Sequence, residues 1–225
     1  MPVITISRQY GSRGREIAHL LCDRLGYRYF DKDLMAQLGA EMGLPPDQLV
    51  DRPEDKHQAQ SLVDRLFSRM INPFGDPAQM AFPAALEAQQ QISVETFQRL
   101  IRAAHERGQV VVMGRGGQAV LQDAPDVLHV RVVAPIEMRI QRVQESAGVT
   151  ADEARRRLDE RDAASVDYVQ RFYGIDPTDP TLYDLTINMR KATPEAAAAL
   201  IVKVLECLPV SARSELPEGA SSARS

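Results

Sequence analysis

Short apolar stretches alternate with longer segments of helical periodicity along most of this 225-residue chain. Continuous or alternating apolar runs predict strands, whereas apolar residues that return every three or four positions predict amphipathic helices. Strands that alternate with helices form a parallel sheet with right-handed crossovers. We therefore predict an α/β fold whose central parallel sheet has five strands, at residues 3–6, 27–30, 110–113, 127–133 and 185–189.

The helical segments indicate one domain that carries an inserted arm, a lid and a C-terminal tail. Prolines between residues 43 and 85 interrupt short helical pieces, and because proline cannot continue a helix interior, we predict an inserted helical arm there. Its apolar residues could close over a substrate, pack internally or mediate self-association. The predicted bounds are 1–208 for the domain, about 43–107 for the insertion with its long helix at 84–107, about 137–174 for a helical lid, and 209–225 for a disordered tail.

The turn between the first strand and the first helix carries Gly11 and Gly14. Glycines let the backbone point successive amides inward, and the helix dipole adds positive charge where they converge. This predicts a phosphate cradle, although a simple tight turn would use the same glycines. Crowded cations favour the cradle, because like charges repel unless an anion compensates them. The predicted phosphate-binding residues are Arg8, Gly11, Ser12, Arg13, Gly14, Arg15 and Glu16.

The same turn departs from the Walker A pattern G-x-x-x-x-G-K-[ST], because it lacks the lysine and the hydroxyl residue. In that pattern the lysine reaches the β- and γ-phosphates and the hydroxyl holds magnesium. Arg15 is the substitute that we predict for the lysine charge. Glu16 could bind a magnesium ion, or it could pair with Arg13 or Arg8 instead.

A second glycine turn, Gly114–Gly117, follows the apolar run Val110–Met113 and carries Arg115. Ligands of open parallel sheets collect at the carboxyl edge, so we expect Arg115 to face the same crevice as the first turn. Its guanidinium could bind an anion or pair with a carboxylate. Asp31 follows the second strand, where capping the next helix is the simpler role.

Arginines recur in the predicted lid, where Pro135 opens one helix and Thr150 with Glu153 forms a capping box for the next. The second of these helices interleaves arginines with acids, which is typical of a solvated, salt-bridged face. Arginines after the fourth strand could instead close on transferring phosphates. Both interpretations stay open for Arg139, Arg142, Arg155, Arg156, Arg157 and Arg161.

The composition of the chain argues against some classes of binding partner. The net charge is −4 and the pI about 5.6, and since nucleic acids and anionic membrane surfaces favour a basic excess, we expect neither as the main partner. No apolar run approaches the roughly 18 residues that a bilayer requires, and no signal-peptide pattern begins the sequence. Cys22 and Cys207 lie far apart in apolar helical contexts, which is typical of reduced packing residues. These features predict a cytoplasmic protein.

Four segments carry the most specific motifs, and they are Ile6–Ala18, Tyr29–Leu34, Gly114–Gly117 and Tyr183–Asn188. In this order they resemble the cytidylate kinase-like family, relatives of bacterial cytidylate kinase among the P-loop nucleoside monophosphate kinases. The resemblance implies a P-loop NTPase-like three-layer fold with an inserted helical arm and a lid. It also implies transfer of the γ-phosphoryl group of ATP, with Mg²⁺, to CMP or dCMP.

The resemblance further implies roles for single residues. The turn from Gly11 to Glu16 would cradle the donor phosphates, and Glu16 is the predicted metal ligand. As catalytic cations we predict Arg15, Arg139 and Arg161. As acceptor-binding residues we predict Asp31, Arg115, Asp162 and Arg171.

Three functions fit these observations. The leading hypothesis is a phosphotransferase that acts on a pyrimidine nucleoside monophosphate. A non-catalytic nucleotide-binding or regulatory protein could keep the fold while lacking the Walker lysine and hydroxyl. A kinase for another small acceptor is the third hypothesis, because no residue in the sequence selects the base. The expected partners are small-molecule nucleotides, with self-association through the arm as a further expectation.

Overall fold

The computed structural model describes residues 2–31 and 94–208. Within these residues the strands are β1 Val3–Arg8, β2 Arg28–Phe30, β3 Val110–Met113, β4 Val127–Val133 and β5 Leu185–Asn188. The α-helices are α1 Gly14–Leu25, α2 Val94–Arg107, α3 Gly117–Val120, α4 Ile136–Ala147, α5 Ala151–Tyr173 and α6 Pro194–Leu205.

The five strands form one parallel sheet in the order β2-β3-β1-β4-β5. β1 is central, since Ile4 pairs with Val111 on one side and with Leu128 on the other. From β1 the chain passes to the edge strand β2 and returns to β3 beside β1. It then crosses to β4 on the other side of β1, so the direction of the strand order reverses beside β1. Ligand crevices of open α/β sheets lie at the carboxyl ends of the strands at such a reversal. The predicted five-stranded parallel sheet is confirmed.

Alternate residues of each strand serve opposite layers, as the pleat requires. On one face Ile6 belongs to a core cluster with Leu21 of α1 and Ile201 of α6. On the other face Val112 clusters with Ile101 of α2. Helices therefore cover both faces of the sheet and leave its carboxyl edge to the connecting turns.

The helix start predicted at Thr150 is confirmed. The Thr150 hydroxyl accepts a hydrogen bond from the amide of Glu153, and the Thr193 hydroxyl accepts one from the amide of Ala196. These bonds satisfy amides that have no partner within their helix. α6 ends at Leu205, and residues 206–208 form a turn.

The predicted lid corresponds to α4 and α5, which pack on each other through Val143, Ala154 and Leu158. Tyr10, from the turn after β1, packs against the same small cluster. The lid helices thus share a hydrophobic contact with the turn that was predicted to bind phosphate.

Several predictions concern residues outside the described part of the chain. They are the arm at 43–85 with its self-association, the first ten residues of the 84–107 helix, and the disordered tail. From Val94 onward that helix is present, and it ends at Arg107 as predicted. In the described ranges, no helix is both long and apolar enough to cross a membrane.

A buried polar pair joins the two middle strands. Thr5 Oγ1 of β1 and His129 Nδ1 of β4 share a hydrogen bond of 2.7 Å, and both residues are buried. His129 Nε2 is buried without a hydrogen-bond partner in the described residues. Burial lowers the pKa of His129 below its ordinary value of 6.5, although the Asp184 carboxylate opposes the shift. The folded state therefore favours a neutral imidazole.

Replacing Leu21 by alanine should destabilise the fold by about 2–5 kcal/mol, because the side chain is fully buried between α1 and the sheet. Urea denaturation measures the change in the free energy of unfolding. The matched control is Leu200→Ala on α6, where 47% of the residue is exposed and a change within about 0.5 kcal/mol is expected. Equal losses in the two variants would contradict the assigned core.

His129 should make stability pH-dependent. Because its folded-state pKa lies below 6.5, the unfolded chain takes up a proton below that pH and the folded chain does not. Stability should therefore fall as the pH drops below about 6.5, by at most about 1.4 kcal/mol per pH unit from this group. In His129→Gln this component should vanish, so that urea titrations between pH 7.5 and 5 give a smaller slope. An unchanged slope would show that His129 titrates alike in both states.

Candidate active site

The turn after β1 has a backbone shape that suits an anion. Gly11 and Arg13 are both left-handed, with φ of 76° and 68°, a region that arginine rarely adopts. α1 then begins at Gly14 with no side-chain hydrogen bond at its N-cap. First-turn amides have no acceptor within a helix, so these amides and the helix dipole can hold negative charge. The geometry fits the predicted phosphate cradle.

Ser12 supports the same conclusion. It is fully buried in the turn, and its hydroxyl oxygen has no hydrogen-bond partner in the described residues. Buried polar atoms are rarely left unpaired, so such an atom calls for a missing partner. A phosphate oxygen in the cradle would accept its hydrogen. Gln9 holds the turn in place, because its side-chain oxygen accepts a hydrogen bond of 3.1 Å from the amide of Ala134 after β4.

The lid helices α4 and α5 contact the turn through Arg139 and Asp162. The Tyr10 amide donates to Asp162 Oδ1 at 2.8 Å, and Arg139 donates to the Tyr10 carbonyl at 3.2 Å. Arg139 and Asp162 also form an ion pair. A Cβ added at Gly11 would lie 3.3 Å from the Cβ of Arg139, so the turn rests closely on α4. The predicted cation Arg139 is thus buried against the turn, and it does not line the cavity described next.

A cavity of about 1310 Å³ opens between the turn, α1 and the lid. Five arginines and three carboxylates line it, so its charged groups have a positive excess in the described residues. A polyphosphate carries several negative charges and would neutralise that excess. The charged residues lining the cavity are Arg8, Arg13, Arg15, Arg142 and Arg161 with Glu16, Asp23 and Glu145.

Glu16 lies in the first turn of α1 and pairs with Arg13. The Arg13 guanidinium donates two hydrogen bonds to its carboxylate, at 2.7 and 2.8 Å. Both side chains are 43% exposed, so the pair contributes little to stability. Of the two alternatives for Glu16, the described conformation has the pairing with Arg13. Its role as a magnesium ligand stays a prediction.

Two lid arginines reach the cavity. Arg142 donates to the Gly11 carbonyl at 3.2 Å and to the Met189 carbonyl at 3.4 Å. Burial and then the nearby charge of Arg13 lower the pKa of Arg142. The guanidinium of Arg161 lies 4.5 Å above the centre of the Tyr10 ring, which is a cation–π contact. These arginines link α4 and α5 to the phosphate turn.

Asp31 and Arg15 meet on the β2 side of the turn. Arg15 Nη2 lies 3.7 Å from Asp31 Oδ2, and the Arg15 side chain is 64% exposed whereas that of Asp31 is 10% exposed. Burial raises the pKa of Tyr29, and the Asp31 carboxylate raises it further. Asp31 is therefore a buried acid beside the crevice. The helix that it was predicted to cap falls within residues 32–93, outside the described part of the chain.

Arg115 sits in a separate aromatic cluster at the end of β3. Its guanidinium carbon lies 4.4 Å from the ring centre of Phe97 and 5.1 Å from that of Tyr168. The Tyr173 hydroxyl donates to the Arg115 carbonyl at 3.0 Å. A Cβ at Gly116 would overlap the Tyr173 ring. The cluster joins α2 and the lid helix α5 to the Arg115 turn, and aromatic faces hold the guanidinium in one orientation.

The aromatic residues of this cluster were not singled out in the sequence. Phe97 lies in a predicted helix, and Tyr168 and Tyr173 lie in the densely charged helix α5. Aromatic side chains in an otherwise charged helix are the signal that could have identified them.

The structure brings most predicted site residues to one edge of the sheet, though not all. The phosphate-turn residues, Arg161 and Asp162 meet at the junction of the turn and the lid. Asp31 and Arg115 lie on the β2 and β3 side of that junction. Arg171 lies apart on an exposed surface of α5, where its guanidinium is 5.5 Å from the Phe172 ring. Its acceptor-binding role stays a prediction.

The parallel sheet, the anion-suited turn after β1 and the arginine-bearing helices α4 and α5 define an α/β protein with a P-loop NTPase-like fold. A family model described as the cytidylate kinase-like family matches residues 3–191. The chain therefore belongs to the cytidylate kinase-like family, as its motifs predicted.

Curated relatives include cytidylate kinases of archaea. The chain is 31% identical over 115 residues to that of Methanopyrus kandleri and 33% identical over 127 residues to that of Pyrococcus horikoshii. These matches cover 48% and 56% of this chain, and 60% and 65% of the relatives, so the chain spans less than two thirds of their length. The enzyme of Thermococcus sibiricus is 32% identical over 143 residues, covering 64% of this chain and 72% of that protein.

Among solved structures, an uncharacterized protein from Eubacterium ventriosum superposes with a TM-score of 0.62. The match covers 92% of this chain and 99% of the other, at 19% sequence identity. At this identity the likeness supports the fold alone.

Removing the Asp162 carboxylate should loosen the lid from the turn. In Asp162→Ala the Tyr10 amide loses its acceptor and the buried Arg139 loses its ion pair, so we expect Tyr10 hydrogen exchange to accelerate about tenfold or more. Asp162→Asn keeps an acceptor oxygen and should change less. The matched control is Asp159→Ala, an exposed residue of the same helix. Unchanged Tyr10 exchange in Asp162→Ala would contradict the assigned contact.

Proposed function

We propose that this protein transfers the γ-phosphoryl group of ATP, with Mg²⁺, to a nucleoside monophosphate, of which CMP and dCMP are the first candidates. One observation carries the proposal: the arginine-rich turn after β1 and the turn after β3 that carries Arg115 lie at the same edge of the parallel sheet. A phosphotransferase must hold a donor and an acceptor side by side, and most of its catalysis is positioning and charge stabilisation. Membership in the cytidylate kinase-like family supports this function.

The donor phosphates would lie in the turn after β1. Its backbone amides and the Ser12 hydroxyl can donate hydrogen bonds, and Arg13 and Arg15 add positive charge at the cavity surface. Arg161 and Arg142 reach the same space from the lid. Charge that develops on a transferring phosphoryl group is stabilised by such cations when they are positioned in advance.

The acceptor phosphate would bind at Arg115. Phe97 and Tyr168 flank its guanidinium, so less side-chain freedom is lost when it binds an anion. Asp31 is a buried acid on the same side and could accept hydrogen bonds from the acceptor nucleoside. The names of the archaeal relatives support a cytidine nucleotide as that acceptor.

Magnesium would need few protein ligands at this site. In kinases the ion is bound by one or two carboxylates together with the substrate phosphates, and it neutralises phosphate charge. The residues that the structure describes contain no group of three or more acids, histidines or cysteines that could hold a metal alone. Glu16 is the carboxylate next to the cradle, and binding the ion would require it to give up part of its contact with Arg13.

A second candidate is a nucleotide-binding protein without turnover. It is favoured by the absent Walker lysine and hydroxyl, because losing one phosphate-binding group can lower kcat by about 10²–10³. A kinase for another small acceptor is the third candidate, since no described residue selects a base. Nucleotide ligands, a cytoplasmic location and self-association through the arm remain predictions.

The decisive experiment measures ADP release with ATP, Mg²⁺ and one acceptor at a time, namely CMP, dCMP, UMP, AMP or a member of a panel of small hydroxyl and phosphate compounds. We expect CMP or dCMP to give the highest kcat/KM. Release with a compound of the panel but with no nucleotide would favour the third candidate. ATP binding by calorimetry without turnover for any acceptor would favour the second.

Arg115→Ala should lower kcat/KM for the acceptor by about 10²-fold, while the KM for ATP changes little, because the guanidinium would contact only the acceptor phosphate. Arg102→Ala is the control, since Arg102 is exposed on α2, the helix that also carries Phe97. Initial rates at varied ATP and varied acceptor separate the two constants. A rise in the ATP KM alone would place Arg115 on the donor side.

A further inference from the structure

The left-handed conformation of Arg13 indicates how the turn after β1 aligns with the Walker A pattern. With Arg8 at the first glycine of G-x-x-x-x-G-K-[ST], the second glycine falls on Arg13 and the lysine on Gly14. Arg13 has φ 68° and ψ 19°, the conformation that favours glycine. The backbone at Arg13 is thus what a glycine of the pattern would provide, which supports this register.

In this register the Walker A pattern has its small residue at position 8 and its long side chain at position 14, and this chain has the reverse arrangement. A Cβ added at Gly14 would lie 2.9 Å from the Cβ of Arg8 and 3.1 Å from its Cγ. Real Cβ atoms essentially never approach a neighbour below 3.0 Å. The stem of Arg8 therefore occupies the space into which a side chain at position 14 would start. The pattern has a glycine and a lysine at these two positions, and this chain has an arginine and a glycine.

The guanidinium of Arg8 extends from there toward the second turn. Arg8 Nη1 lies 3.0 Å from the position of a Cβ on Gly114, which immediately precedes Arg115. Arg8 also lines the cavity of the phosphate turn. Its side chain thus spans from the first turn of α1 to the end of β3, between the two sites proposed for donor and acceptor.

We propose that Arg8 supplies the phosphate-binding cation that lysine supplies in the Walker A pattern, with its side chain passing through the space that Gly14 leaves open. The inference rests on the proposed function and adds the residue that replaces the missing lysine. From its position, the guanidinium would contact the donor phosphates nearest the acceptor. A planar guanidinium can donate two hydrogen bonds to one phosphate, which lysine cannot do with fixed geometry.

The inference revises the role predicted for Arg15. That residue follows Gly14 on the helix, its side chain is 64% exposed, and it lies 3.7 Å from the Asp31 carboxylate. An exposed cation is screened by water and contributes less to phosphate binding than a buried one. Arg15 would then orient Asp31 and shield the rim of the cavity.

The first test is ATP affinity, measured by calorimetry in Mg²⁺ with a non-hydrolysable ATP analogue and, separately, with adenosine, which carries no phosphate. We expect Arg8→Ala to weaken binding of the analogue by about 10²-fold and binding of adenosine by less than about threefold, because the lost contacts are to the phosphates. A general distortion of the fold would weaken both ligands alike. Arg24→Ala, an exposed arginine on the last turn of α1, is the matched control and should bind both as wild type does.

The second test exchanges the two positions. Arg8→Gly alone removes the cation, and Gly14→Lys alone forces a side chain against the Arg8 stem, so both single variants should bind the analogue poorly. The double variant Arg8→Gly/Gly14→Lys restores the Walker arrangement at these two positions, and we expect it to bind the analogue at least about tenfold more tightly than Arg8→Gly. Thermal melting of each variant shows whether it is folded.

The outcomes separate this inference from the proposed function. If wild type binds the ATP analogue and Arg8→Ala binds it equally well, the role of Arg8 is overturned and the proposed function stands. A folded double variant no better than Arg8→Gly also counts against the role of Arg8. If wild type does not bind the analogue, both are overturned. Selective loss for the analogue with recovery in the double variant supports the inference.

Discussion

The structure around the candidate site depends on an imbalance of charge. Five arginines and three carboxylates line the cavity beside the phosphate turn in the described residues, and two like charges 4 Å apart repel by about 1–4 kcal/mol between bulk water and a protein surface. Within the protein the repulsion is relieved pairwise, by Glu16 at Arg13 and by Asp31 at Arg15. Arg8, Arg142 and Arg161 remain directed at the same space, so a bound polyanion would complete the compensation.

The lid is connected to this charge through the backbone of the turn. The Asp162 carboxylate of α5 accepts a hydrogen bond from the Tyr10 amide and forms an ion pair with Arg139 of α4. Arg139 in turn donates a hydrogen bond to the Tyr10 carbonyl. A carboxylate on a loop amide occupies a donor that phosphate could also use. A ligand that changes the conformation of the turn would therefore also change the contacts of both lid helices. Tyr173 of α5 connects the same helices to the Arg115 turn, because its hydroxyl donates a hydrogen bond to the Arg115 carbonyl.

Much of the fold could be predicted because its signals are local. The continuous apolar run Val110–Met113 became a fully buried strand, and Thr150 caps its helix as its position indicated. The site was less predictable, because the contacts of an arginine depend on segments far away in the sequence. Arg139 was expected to face phosphates, yet it lies buried against Gly11, and Arg171 is exposed beside Phe172.

By itself the sequence determined the order of strands and helices, their caps, the two glycine turns and membership in the family, since periodicity and short motifs are written in neighbouring residues. The tertiary structure decided which residues each charged side chain contacts. Arg8 fills the space beside Gly14, Arg115 lies against Phe97 and Tyr168, and Asp162 holds Tyr10. Those contacts join residues between 6 and 152 positions apart, and only the packing of the sheet, α2 and the lid brings them within reach.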